Sequence, residues 1–109
     1  LLVCACGPVS DFDRTVEEDQ FSVDCTVLNT TLSEQYALEE GDLVVVSHSE
    51  NGGKFAFQIG ISGESPIYIG DSSAPERFTV RILQSGTYTL SVTGEQAKGT
   101  VTFRIMRSK

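Results

Sequence analysis

Few residues of this 109-residue chain have side chains suited to covalent chemistry. His48 is the sole histidine, so no histidine-based metal cluster can form, and neither CxxC nor HxxxH spacing occurs. Cys25 invites comparison with a nucleophile served by His48. It falls, however, on the same strand face as Phe21, Val23 and Val27. That pattern predicts burial, and a buried thiol in apolar surroundings is inert. Pairing with Cys4 or Cys6 is the alternative for it. His48 sits at an expected strand end beside a turn and is expected to be solvated. Serines are plentiful, yet there is no Gly-x-Ser-x-Gly elbow, and neither GxxxxGK[ST] nor GxGxxG is present. No catalytic residue and no cofactor is assigned, and the chain is not expected to be an enzyme.

Binding chemistry is also thinly marked. Glu39, Glu40 and Asp42 gather before an apolar run, and Asp71 lies in a polar loop. A hard cation needs six to eight oxygens, and no spacing here organises them. Solvated loop acids are expected, and no metal site is assigned. Asn29-Thr30-Thr31 matches the glycosylation sequon, but Asn29 reads better as a turn residue. There is no Trp, and most of the six Phe and three Tyr fall on expected core faces. Tyr36 and Tyr68 are the aromatic candidates for exposure. Fifteen acids against eight Lys and Arg make the chain a poor binder of nucleic acid. Arg104, Arg107 and Lys109 make the C-terminus basic, which reads as a solvated strand face and tail.

The elements that must position these residues have period two. Phe21 to Val27 alternates strictly. Leu32 to Leu38 contains good helix formers, but its alternation favours a strand. Leu43-Val44-Val45-Val46 has the length of a strand buried on both faces, continued outward by Ser47-His48-Ser49. Asn51-Gly52 then predicts a hairpin, since both central residues of a type I′ turn need positive φ. The return strand is Lys54 to Ile61. Ser62 to Pro66 breaks it. Shorter strands are expected at Ile67–Ile69 and Glu76–Leu83, followed by a turn at Gln84-Ser85-Gly86. Tyr88, Leu90 and Val92 mark another strand, Gly94 to Gly99 a turn, and Val101, Phe103 and Ile105 the last strand. These make about eight strands and no amphipathic helix. The expected fold is all-β, a two-sheet antiparallel sandwich that is jelly-roll-like.

The N-terminus carries a different signal. Leu1-Leu2-Val3-Cys4-Ala5-Cys6 is apolar and begins without Met. Gly7-Pro8-Val9-Ser10 and an acidic run follow it. This resembles the lipobox of bacterial lipoproteins, where an aliphatic residue stands three before the modified Cys and Gly or Ala just before it. Val3 and Ala5 match that pattern with Cys6 as the lipidated residue. Cys4 fits worse, because bulky Val3 would precede the cleavage point. The resemblance implies that residues 1–6 are the remnant of a signal peptide and lipobox. Residues 7–20 then read as an acidic tether. Within them, 11–19 holds five acids against Arg14, a net −4 of the chain's −7. Residues 21–109 remain as a single sandwich domain.

A second resemblance lies in the body. Phe78 to Val92, with Ser85-Gly86-Thr87-Tyr88 at its centre, resembles the closing strands of pre-peptidase C-terminal modules. Leu38-Glu39-Glu40-Gly41-Asp42-Leu43 is similar to the Gly-Asp entry into a central strand of the same modules. Gly94 to Phe103 is similar to the terminal hairpin of uncharacterised lipoproteins from Gram-positive gut bacteria. These motifs are architectural and transfer no catalytic residue. Taken together, the expectation is a non-catalytic lipoprotein domain at the bacterial cell surface, outside the cytoplasm. It would be anchored to the membrane by lipid and would bind an unknown protein or glycan ligand. The alternatives are a carbohydrate- or calcium-dependent ligand-binding module and an accessory domain of an exported enzyme.

Overall fold

The computed structural model describes residues 10–61 and 63–108. Cys4, Cys6 and the rest of the lipobox lie outside them, as do Ser62 and Lys109. Seven strands fill most of the described chain: β1 (Asp11–Glu17), β2 (Gln20–Leu28), β3 (Thr31–Leu38), β4 (Leu43–Ile61), β5 (Tyr68–Asp71), β6 (Arg77–Arg81) and β7 (Gly86–Met106). All pairings are antiparallel.

The long strands β4 and β7 organise the rest. They pair with each other from Leu43↔Met106 to Ile61↔Tyr88, with irregularities at Glu50/Gly52 and Gly52/Lys54. The first half of β4 and the second half of β7 form one layer, ordered β1-β2-β7-β4-β6. The remaining halves form the other, ordered β3-β7-β4-β5. The sheet folds over itself at the irregular segment, so the sandwich expected from the alternation is present. Phe57 of the second layer meets Phe103 of the first, ring centroids 6.5 Å apart, and Phe103 stacks on Phe21 at 5.7 Å. Phe21, Phe55, Phe57, Phe103 and Tyr88 are almost wholly buried.

The expected hairpin at Asn51-Gly52 and the expected turn at Gly94–Gly99 are therefore both corrected. Neither reverses the chain. They face each other across the β4–β7 ladder as a paired bulge, which merges four expected strands into two. The burial phase shows the extra residue directly. In β4 the inward positions change from Val44, Val46 and His48 to Phe55, Phe57 and Ile59. In β7 they change from Tyr88, Leu90 and Val92 to Val101, Phe103 and Ile105. A bulge inserts a residue, bends the strand and shifts the alternation by one. Gly53 and Gln96 have φ of 68° and 51° here, so the positive φ that suggests a turn is used to bend a strand.

The acidic stretch is the second correction. Residues 11–17 do not form a free tether; they are strand β1, paired with β2 from Glu17↔Gln20 to Asp11↔Val27. Arg14 points across the open edge of the sandwich. Its guanidinium pairs with Glu34, donates to the Ser33 carbonyl at 2.7 Å and sits 5.5 Å above the Phe21 ring. Tyr36, expected as exposed, is buried, with its hydroxyl 2.8 Å from the Gln20 carbonyl and 3.0 Å from that of Glu17. Tyr68, likewise expected as exposed, is half-buried and packs on Phe78 at 4.8 Å. The segment Thr31–Leu38 is a strand, in agreement with its alternation.

Asp42 gives physical content to the Gly41-Asp42 motif. Gly41 takes a φ of 96°, and Asp42 is 2% exposed at the head of β4. Its carboxylate accepts from the Ser108 amide at 2.7 Å, the Glu39 amide at 2.9 Å and Arg107 Nη1 at 3.2 Å. Arg107 also binds Asp19 and the Ala37 carbonyl, so the expected solvated tail is anchored at this residue. These contacts, the Ser108 amide foremost, hold the Asp42 carboxyl below the usual carboxylate range against the opposing effect of burial. A depressed folded-state value stabilises the fold above the unfolded value of about 3.9. That stabilisation is lost as pH falls through the folded value. We predict that Asp42→Asn costs about 2 kcal/mol at pH 7, the scale of a charged buried acceptor. The gap from the parent chain should narrow below pH 4, as read from urea unfolding at pH 7 and pH 3. An undiminished gap at pH 3 would contradict this account.

The two outer faces differ in chemistry. On the first layer Asp13, Glu17, Asp24, Arg77, Arg81 and Arg104 point outward. On the second layer β7 shows Thr87, Thr89, Ser91 and Thr93 outward, and β4 shows Ala56, Gln58 and Gly60. Positions 31, 33, 35 and 37 of β3 add Thr, Ser, Gln and Ala.

Candidate functional site

The bulged end of the second layer opens a cleft of about 680 Å³. Its floor comes from the residues just past the bulge, Lys54 to Ala56 of β4 and Thr93 to Glu95 of β7, which pair as Lys54↔Glu95 and Ala56↔Thr93. One wall is the turn Asp71–Ser73 after β5; Asn29, between β2 and β3, closes the other side.

Both walls are stitched to the framework. Ser72 Oγ accepts from the Phe55 amide at 2.7 Å, and the Ser72 amide donates to the Phe55 carbonyl at 3.0 Å. Asp71 Oδ1 accepts from the Ser73 hydroxyl at 2.5 Å and the Ser73 amide at 2.9 Å, the local geometry that Asp favours in turns. These bonds, with a smaller contribution from Lys54, hold the Asp71 carboxyl below its usual range. Asn29 Oδ1 accepts from the Gln96 amide at 2.7 Å, which fixes the positive-φ residue of the bulge. Asn29 is thus a turn residue, as its sequence context indicates. The cleft presents an ammonium, two carboxylates and hydroxyls within one concavity, and its lining includes no histidine or cysteine. That array suits hydrogen-bonded recognition of a polar ligand.

The residues singled out for chemistry lie elsewhere. Cys25 is buried, 3.3 Å from the Gly99 carbonyl, and burial pushes its thiol above the ordinary range. His48 is corrected from solvated to buried, at 5% exposure. It packs 4.9 Å from Phe57 and 6.2 Å from Phe78. Its Nδ1 pairs with the Glu50 carboxylate, and its Nε2 lies 2.8 Å from the Pro75 carbonyl. The physical reason is phase: His48 continues the inward row of Val44 and Val46. Cys25 and His48 are not in hydrogen-bond contact. The candidate calcium acids do not converge either; no group of three or more His, Cys, Asp or Glu is placed to hold a metal among the described residues. Lys54, Thr93 and Glu95 carry no motif. Their signal is the change of alternation phase beside the glycine clusters, which marks a corner and the cleft it creates.

Two smaller clefts lie elsewhere among the described residues. One of about 180 Å³ lies on the outer face of the second layer among Gln58, Gly60, Thr89, Ser91 and Glu64. Another of about 190 Å³ lies among Ile61, Ile67, Val80, Leu83 and Tyr88. No helix among the described residues is long and apolar enough to cross a membrane.

No protein-family profile matches the chain, and no curated protein matches it in sequence. Solved structures do match in fold. A periplasmic lysozyme inhibitor of g-type lysozyme from Aeromonas hydrophila superposes with a TM-score of 0.54 at 16% identity, covering 96% of this chain and 93% of that one. A carbohydrate-binding module of lichenase 5A from Cellvibrio mixtus, solved with cellotriose, gives a TM-score of 0.43 at 17% identity over 92% and 88%. The first likeness shows a shared β-sandwich.

Proposed function

We propose that this chain is a non-catalytic binding domain that works outside the bacterial cytoplasm, held at the membrane by lipid on Cys6, with a protein or glycan as ligand. The observation that carries the binding role is the cleft at the bulged end. There Lys54, Asp71 and Glu95 converge with hydroxyls on a framework fixed by backbone bonds. The non-catalytic reading is supported by where the reactive groups go: Cys25 and His48 lie in the core and serve packing. A sandwich shared with a periplasmic inhibitor supports the extracytoplasmic setting, and the lipobox-like Val3 to Cys6 supports the anchor.

Calorimetry with g-type lysozyme and with cello-oligosaccharides as probes tests the site. Binding of one of them is expected. Lys54→Glu combined with Asp71→Lys should weaken it at least tenfold while leaving the unfolding midpoint within a few degrees. No heat with either probe, or binding indifferent to the double variant, overturns the cleft. Mass spectrometry of the membrane-extracted native protein tests the anchor: a lipid-sized mass increment on Cys6 is expected, and an unmodified Cys6 rejects it.

A further inference from the structure

The outer face of the second layer is short of charge in a chain where charged residues make up 21%. Between the large cleft at one end and the 180 Å³ cleft at the other, β4 and β7 show Gln58 flanked by Thr89, Ser91 and Thr93. The outward positions of β3 are also uncharged. Charge returns only at the ends, with Lys54, Asp71 and Glu95 at one and Glu64 at the other. The opposite face of the sandwich carries acids and arginines, so the difference belongs to this layer and not to the chain as a whole.

From this surface we infer that the ligand is a neutral polysaccharide laid along the β4–β7 seam, with its ends in the two clefts. The inference rests on the binding reading above and names its ligand class. Three observations carry it. Threonine offers a hydroxyl and a methyl together, and a sugar ring likewise has hydroxyl edges and apolar C–H faces. The exposed side chains of Ile69, 70% accessible and paired opposite Gln58, and of Ile67, 46% accessible, add an apolar border on the β5 side. Hydroxyls on the face are already aligned: Thr31 Oγ1 and Thr93 Oγ1 lie 2.8 Å apart. From Lys54 to Gly60 the strand spans roughly 20 Å at its usual rise, a track for several linked rings. A typical protein surface would bring its own charges onto this face and leave them desolvated opposite hydroxyls, at a cost in affinity. An anionic polymer would find no row of cations here.

Affinity electrophoresis of the full chain in gels containing mixed-linkage β-glucan, galactan or hydroxyethylcellulose tests the inference. Retardation in at least one neutral gel is expected. Gln58→Glu, an exposed change at the centre of the track, should reduce that affinity tenfold or more. Thr79→Asp, on the opposite face, should leave it unchanged. Absence of retardation in all three gels overturns the inference, as does retardation indifferent to Gln58→Glu. If g-type lysozyme binds through Lys54 and Asp71 while no glycan retards the chain, the binding domain stands and the polysaccharide falls.

Discussion

A Gly99→Ala chain is expected to lose about 3 kcal/mol of stability, or to fail to accumulate as folded protein. Gly99 has a φ of 145°, in the region that glycine alone occupies comfortably. A β-carbon there would collide with the Ser49 carbonyl oxygen and come within 3.0 Å of Glu50 Cα. Backbone strain of this kind costs on the order of 1–3 kcal/mol, and the steric conflict adds to it because both partners are backbone in a paired ladder. Against a typical total of about 5–15 kcal/mol, one methyl group would remove much of the margin. Gly63→Ala is the matched comparison. Its φ is 86°, but nothing lies within 4 Å of the added carbon, so strain acts alone and about 1 kcal/mol is expected. Urea unfolding of the two variants separates the contributions. Equal losses would mean that the close approach of β4 and β7 at the bulge is not what makes Gly99 necessary.

His48→Ala is expected to cost about 3 kcal/mol and to loosen one wall of the cleft. The ring fills space beside Phe57 and Phe78, so its removal leaves a cavity in the core. It also strips a partner from the half-buried Glu50 carboxylate and from the Pro75 carbonyl, and the lost hydrogen bonds add to the cost. The Nε2 bond, with the His48 amide donating to the Glu76 carbonyl at 2.9 Å, fastens the segment between β5 and β6 to β4. Hydrogen exchange should therefore show faster opening at Ser72 to Ala74 in the variant, by at least tenfold over the parent. His48→Gln, which keeps a donor, should recover part of the stability. Unchanged exchange in that segment would reduce His48 to a filler of space.

What was legible in the sequence, and what was not, follows from the range of the forces involved. Alternation is a one-strand property, so Phe21 to Cys25, Leu32 to Leu38 and Phe55 to Ile61 read as strands. The exceptions come where the ladder slips or one side chain departs from the pattern. Past the irregularity after Cys25 the inward place belongs to Leu28 and not Val27, and Tyr36 is buried where exposure is expected. Whether Asn51-Gly52-Gly53 reverses the chain or bends it depends on the partner strand. Both outcomes use glycines at positive φ, and only the facing segment Gln96 to Gly99 decides between them. The acidic stretch was opaque for a similar reason. Asp11, Asp13 and Glu17 point outward from β1, while Arg14, the one cation among them, reaches across the open edge of the sandwich to Glu34 and over Phe21. Composition registers the charges and is blind to the pairing. His48 was more legible than its reading: its place in the row Val44, Val46, His48 predicts burial, and the polar neighbours Ser47 and Ser49 obscured it. The cleft had no signature of its own, because it is assembled from the flanks of a bulge, a β2–β3 turn and a β5–β6 turn that are distant in sequence.

The passage of β4 and β7 through both layers has a kinetic side. Their pairing joins residues separated by 27 positions at Ile61↔Tyr88 and by 63 at Leu43↔Met106. Neither layer can be completed before that ladder exists, since β2, β3, β5 and β6 all pair with one of the two long strands. High contact order of this kind places folding on the millisecond-to-second scale typical of β-sandwiches. It also gives the chain no half that can melt alone: the layers share their central strands, so opening one frays the other. In the extracytoplasmic setting proposed above, where proteases act on transiently opened segments, all-or-none unfolding of this kind would lend the chain persistence.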